Sequence, residues 1–279
     1  MKKIALLLVV AAVVVSSCKK KDSGKPQIYF KVSNPDTAIV GEQYEIPTPS
    51  NHKVEADDNI DGREVEKNLT YIHNIPVRQA AGNMIIPDRI GRYYIKYTVR
   101  DEAGNDTSKN LNIVVYNEAY PYATWYRVTK SSNESISPDY VDYQNVFIKL
   151  EQDSFVNMRL IFPKLSNIEG LAVYGDLVQG DNDTTLLVNI PSQEVPVVER
   201  DSAGDTLGVF LYVIRNVEAG SSYFMDMNHY KIRLHYDINK YSKVNNLQDA
   251  DYTTQSVPDY GMYWKHEAQD QCVETYTKM

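Results

Sequence analysis

The residues able to do chemistry are few and scattered. Asp57, Asp58 and Asp61 share one loop, with Asp101 further along. Together they could offer oxygens to Ca²⁺, which takes about 6–8 of them. Their spacing is not that of an EF-hand loop, and acids in such loops also cap turns by accepting backbone N–H groups. Asp181-Asn182-Asp183 reads in the same way, as a hairpin turn. His229 and His235 raise the question of zinc. On one strand they would share a face with Lys231 and Arg233. They would stand about 20 Å apart at ~3.3 Å per residue, too far for one metal. They are expected as solvated face residues. No metal and no other cofactor follows from these patterns.

Catalytic patterns are equally sparse. The chain has no Gly-x-Ser-x-Gly elbow, no His-Glu-x-x-His and no phosphate loop. A glycosidase needs two carboxylates paired in space rather than in sequence, and 37 acids name no particular pair. Cys272, one of two cysteines, stands by itself far along the chain from Cys18. No catalytic residue is expected. One recognition chemistry stays in view, the stacking of aromatic rings on the apolar faces of sugars. Tyr120, Tyr122, Trp125 and Tyr126 form one cluster, and Tyr260, Tyr263 and Trp264 another. Exposed, such rings would contact a glycan; buried, they would be core. The candidate ligand residues are Tyr122, Trp125, Tyr126, Tyr260, Tyr263 and Trp264.

Strands must position these groups. Tyr93, Ile95, Tyr97 and Val99 alternate with Tyr94, Lys96, Thr98 and Arg100. That period of two predicts a strand with one buried face. Asp101 to Asn105 supplies a turn, and Thr107 to Val115 returns with Leu111, Ile113 and Val115 inward. Shorter candidates precede this hairpin, among them Ile28–Val32, Tyr44–Ile46, Val54–Ala56, Leu69–His73 and Met84–Ile86. Six or seven short strands in about 90 residues is the pattern of an immunoglobulin-like sandwich. Asn117 to Pro121 reads as a polar linker. Beyond it, Tyr122–Val128, Val146–Leu150, Phe155–Phe162, Leu171–Leu177, Thr185–Ile190, Leu207–Ile214 and Tyr230–Asp237 alternate again. Asn239–Gln255 is polar and poorly periodic and is expected to be irregular. The fold class is therefore all-β, a sandwich followed by a second β-sandwich or small β-barrel.

Composition narrows the function classes. The 279 residues suffice for two domains, and a hydrophobic fraction of 43% permits a core. Tyr outnumbers Phe 22 to 6, which suits half-exposed sheets. A formal net charge of −8 argues against a nucleic-acid partner. Lys2 and Lys3 precede the apolar run Ile4–Val15, which is shorter than the ~20 residues of a membrane helix and fits a secretory signal.

That run ends Val15-Ser16-Ser17-Cys18, which resembles a bacterial lipobox. The resemblance implies removal of residues 1–17 and lipidation of the Cys18 thiol, with palmitate among the acyl chains. Residues 18–26 then form a polar tether. Bacteroidetes lipoproteins look like this. Their surface-export signals are acidic just after the cysteine, whereas here Lys19, Lys20 and Lys21 come before Asp22. The implied location is the outer membrane, with the periplasmic or surface face left open.

Val54-x-Ala56-x-Asp58, Asp61-Gly62, Gly91-x-Tyr93 and Tyr97-Thr98-Val99-x-Asp101-x-Ala103-Gly104-Asn105 resemble the bacterial surface immunoglobulin-like domains. This resemblance covers residues 27–116 and implies a spacer or adhesion module without catalysis. Tyr93 would be its corner tyrosine, bonded to backbone before the strand. Tyr93→Ala is expected to cost about 3–5 kcal/mol. After the linker at 117–121, residues 122–279 form the second all-β domain with its irregular C-terminal segment. Leu186–Val195 and Tyr230–Tyr236 are similar to strands of β-barrel modules in Bacteroidetes lipoproteins, which implies a glycan context. The expected function is a non-catalytic lipid-anchored binding or accessory protein, for glycans in polysaccharide uptake. The alternatives are a structural or adhesion protein with an envelope protein partner, and a polysaccharide hydrolase.

Overall fold

The computed structural model describes residues 23–132, 142–181, 185–225, 228–254, 260–261 and 263–279. Cys18 and the signal segment lie outside the described residues. The chain is nearly all β. Among the described residues no helix is long and apolar enough to cross a membrane. Two compact units form: one takes the described residues up to Ala38 and Glu42–Val115, the other Ile39–Gly41 and Tyr116–Met279.

The first unit contains β1 (Gln27–Phe30), β2 (Asp36–Ile39), β3 (Tyr44–Glu45), β4 (Val54–Asp57), β5 (Thr70–His73), β6 (Val77–Ala81), β7 (Met84–Pro87), β8 (Gly91–Arg100) and β9 (Asp106–Tyr116). They form a four-stranded sheet β2-β9-β8-β5, a three-stranded sheet β3-β7-β6 and the pair β1-β4. β8 and β9 are the expected hairpin, with Ile95 opposite Leu111 and Tyr93 opposite Ile113. Ile95, Tyr97, Val99, Leu111 and Ile113 are fully buried. Tyr97 satisfies its hydroxyl by donating to the Pro47 carbonyl at 2.8 Å, as a buried phenol must.

Tyr93 donates to the carbonyls of Arg89 and Ile90, both at 3.2 Å. Its ring lies over Gly91, where a Cβ would meet the hydroxyl at 2.8 Å. The side chain is only half-buried, so the large cavity term falls away. Tyr93→Ala is now expected to cost about 2–3 kcal/mol, read as a lowered melting temperature of the first unit.

The second unit contains β10 (Trp125–Ser132), β11 (Tyr143–Lys149), β12 (Glu151–Gln152), β13 (Arg159–Phe162), β14 (Val173–Gln179), β15 (Leu186–Asn189), β16 (Gln193–Arg200), β17 (Thr206–Asn216), β18 (Tyr223–Phe224), β19 (Lys231–Lys243), β20 (Tyr252–Thr253) and β21 (Tyr263–Lys278). Along one path they run β11-β10-β21-β19-β18-β15-β14-β13-β12, with β17 also on β19, β16 on β17 and β20 on β21. The sheet is nearly closed and barrel-like. Its core gathers Tyr126, Phe162, Leu177, Val188, Ile214, Leu234 and Tyr276 among others.

The stretch expected to be irregular is so only in part: among its described residues, 244–251 form a loop. Asn239–Lys243 continues β19, and a short 3-10 helix (Leu247–Asp249) and β20 follow. β21 is a 16-residue strand between β10 and β19. Backbone pairing with two neighbours holds it, even though its inward side chains are in large part polar. Asn117, at the head of the segment read as a linker, is fully buried. Its Nδ2 donates to the Asp153 and Val156 carbonyls, and its Oδ1 accepts from Ala119 and Met158 N–H.

Candidate functional site

Strand alternation divides the two aromatic clusters. On β10 Trp125 points outward and is 51% exposed, whereas Tyr126 points inward and is fully buried. Tyr126 donates to the Tyr122 carbonyl at 3.1 Å and packs edge-on against Tyr276. Consecutive residues of a strand face opposite ways, so the two rings cannot share one surface. Tyr122 is half-buried against Phe224, at 5.0 Å between centroids, and burial raises its pKa. In the second cluster Trp264 is fully buried, Tyr263 is half-buried and Tyr260 is exposed. Tyr126 and Trp264 are therefore core residues and not sugar contacts.

A ring that the sequence reading passed over completes the open face. Phe147 on β11 is 55% exposed. The register pairs Trp125 with Lys149 and Arg127 with Phe147, so Trp125 and Phe147 are diagonal neighbours, a spacing of ~7–8 Å. Arg127 and Lys149 lie beside them, also exposed. Phe147 was legible in principle, because its parity is opposite to that of Val146, Ile148 and Leu150.

The histidines are not solvated face residues. His229 precedes β19 in a left-handed conformation, φ 56°, and stands edge-on to Tyr122 at 5.7 Å and Phe224 at 5.1 Å. His235 is half-buried. Burial, with Arg233 beside it, lowers its pKa. The acid loops cap turns. Asp58 accepts from Ile60 and Asp61 N–H, Asp61 from Glu102 N–H, and Asp101 from both nitrogens of Asn105. Asn182 and Asp183 lie outside the described residues. Among the described residues, no three His, Cys, Asp or Glu side chains are grouped to hold a metal ion.

The inner face of β21 carries an unforeseen polar cluster. Glu274 is fully buried. Its Oε1 accepts from the Tyr143 hydroxyl and from Ser166 N–H at 2.8 Å, and its Oε2 from the Tyr276 hydroxyl at 2.6 Å. Ser166 has φ 53°, and its hydroxyl meets that of Tyr236 at 2.9 Å. Two inward positions along β21, Lys130 Nζ stands 3.6 Å from Asp270 Oδ2, with both side chains buried. The Cys272 thiol donates to the same oxygen at 3.2 Å. Burial pushes that thiol up to about 12, so it carries little thiolate at neutral pH. Asp270 and Glu274 are closed to a polymer and do not make a glycosidase pair.

Burial also raises the pKa of Glu274 against the pull of its donors. A carboxyl raised in the fold stabilises the fold below the ordinary glutamate range. That contribution is lost as pH rises through the folded pKa. The part of the second unit's stability that Glu274 contributes is thus expected to fall as the buffer climbs above about pH 4.3. Glu274→Gln keeps the shape and cannot ionise, so its melts should lack this component. Identical pH slopes in both chains would contradict it.

No protein-family model matches the chain, and no curated protein matches it. Among solved structures, a lipoprotein from Bacteroides thetaiotaomicron is similar at 9% identity. The match covers 91% of this chain and 100% of that one, with a TM-score of 0.25. A protein of unknown function from Bacteroides ovatus is similar at 12% identity, over 91% of this chain and 94% of that one, with a TM-score of 0.24. The protocadherin gammaB4 extracellular domain is similar at 8% identity, over 79% of this chain and 48% of that one, with a TM-score of 0.26.

Proposed function

We propose that the protein is a non-catalytic, lipid-anchored envelope lipoprotein that contacts glycans through the outer face of the β10–β11 hairpin. The observation that carries this is the diagonal pair Trp125 and Phe147, both more than half exposed, flanked by Arg127 and Lys149. Two flat rings on a rigid sheet offer stacking surfaces, and the cations beside them offer hydrogen bonds to hydroxyls. Acylation at Cys18 would hold the chain at the outer membrane. The first unit would serve as an immunoglobulin-like spacer.

Affinity-gel electrophoresis of the chain from Lys19 tests the reading. Retardation by at least one soluble polysaccharide is expected. Trp125→Ala should weaken it by about tenfold or more, the scale of one lost stacking contact. No retardation across a broad polysaccharide set would refute it. That result would favour a protein partner, for which β6 is a candidate: it is the edge strand of its sheet and is exposed along its whole length.

A further inference from the structure

A cleft of about 650 Å³ opens in the second unit, apart from the Trp125 face. Its size lies within the usual range of small-ligand sites. The β16–β17 ribbon forms one side and residues 168–170 the other. The inward face of the ribbon continues across β17 onto β19, because Val195 pairs with Tyr212 and Tyr212 with Lys240. Lys240 Nζ bonds Glu199 Oε2 at 3.0 Å and sits 4.1 Å from the Phe210 ring centroid. The Tyr212 hydroxyl donates to the other oxygen of Glu199. The Lys240 and Glu199 side chains keep 11% and 20% of their surface open. Ile168 and Val197 supply the apolar wall, and Pro196 and Val198 border the cleft from the outer face of β16.

The charges in this lining balance, Glu169 and Glu199 against Arg200 and Lys240. An anionic ligand would face two carboxylates, and a cationic one two cations. A hydroxyl fits better, since it can donate to Glu199 and accept from Lys240 at once. The aliphatic wall suits the C–H face of a ring. We infer that the cleft binds a neutral, polyhydroxylated ligand such as a short oligosaccharide, at a site separate from the aromatic face. The inference goes beyond surface contact, because a chain end or a small sugar would be enclosed here rather than laid on a sheet.

Saturation-transfer NMR and calorimetry on the chain from Lys19 test this. The probes are cellobiose, maltose and lactose, with trigalacturonate and spermidine as charged comparators. At least one neutral disaccharide is expected to bind, and both comparators to fail. Glu199→Gln should weaken binding about tenfold, the scale of a hydrogen bond to a charged group. Glu169→Arg, at the exposed rim and outside the Glu199 network, should do the same without loss of fold, because it removes only a surface ion pair. Trp125→Ala should leave this binding unchanged while it weakens polysaccharide retardation. The inference is overturned if none of the neutral disaccharides binds, if trigalacturonate or spermidine binds instead, or if Trp125→Ala abolishes binding that Glu169→Arg spares.

Discussion

Lys130→Ala is expected to destabilise the second unit by about 3–5 kcal/mol, the cost of breaking a buried ion pair from one side. Its partner Asp270 has a fully buried side chain and, among the described residues, keeps the weak thiol donor of Cys272. With the ammonium gone, Asp270 must hold an uncompensated charge or take up a proton. Either outcome subtracts from the free energy of folding. Lys130→Met should be nearly as harmful as alanine, because it restores volume and not charge. The double change Lys130→Met with Asp270→Leu should recover most of the loss, since an apolar pair of similar volume often matches a buried ion pair. Urea denaturation of the wild type, Lys130→Met, Asp270→Leu and the double variant closes the cycle. If the single variants lose less than about 1 kcal/mol, the range of exposed pairs, the pair is not sealed from water.

Trp264→Ala should cost a comparable amount, about 3–5 kcal/mol for a fully buried Trp. Trp264 pairs with Lys243 of β19 on one side and Tyr252 of β20 on the other, and its carbonyl accepts from Asp251 N–H. Among the described residues its indole N–H has no partner. Trp264→Phe, which removes that buried donor and keeps a ring, should therefore cost much less than alanine. The readout separates the two meanings of an aromatic residue. A core tryptophan shifts the denaturation midpoint and leaves glycan retardation of the still-folded chain intact. A ligand contact does the opposite, as is expected of Trp125.

The parts that could be read from sequence are those whose apolar residues keep step with their secondary structure. Tyr93 to Val99 is the clearest: every second residue is aromatic or β-branched, and the buried face is that parity. β21 could not be read this way. Its inward positions include Ala268, Asp270, Cys272 and Glu274, whose burial depends on Lys130, Tyr143 and Ser166 arriving from far along the chain. No local window contains those partners. β16 escaped for another reason. Pro196 breaks the strand signal, yet among the described residues β16 pairs with β17 alone, and an edge strand tolerates proline. Candidate site residues suffered from the same limit. Trp125 and Phe147 meet only through the β10–β11 register, and neighbouring rings such as Trp125 and Tyr126 look like one cluster until alternation separates them.

The place of β21 has a consequence for how the chain is made. Thr129 pairs with Thr275, so β10 leaves the ribosome long before the strand that covers its inner edge. Until residues 263–278 emerge, β10 and β19 each have one edge without its partner, and bare strand edges recruit other chains. Pairings this distant in sequence also close slowly. A nascent chain halted before residue 263 should thus be aggregation-prone and dependent on a chaperone. Synthesis of the last strand would act as the latch that ends that exposure.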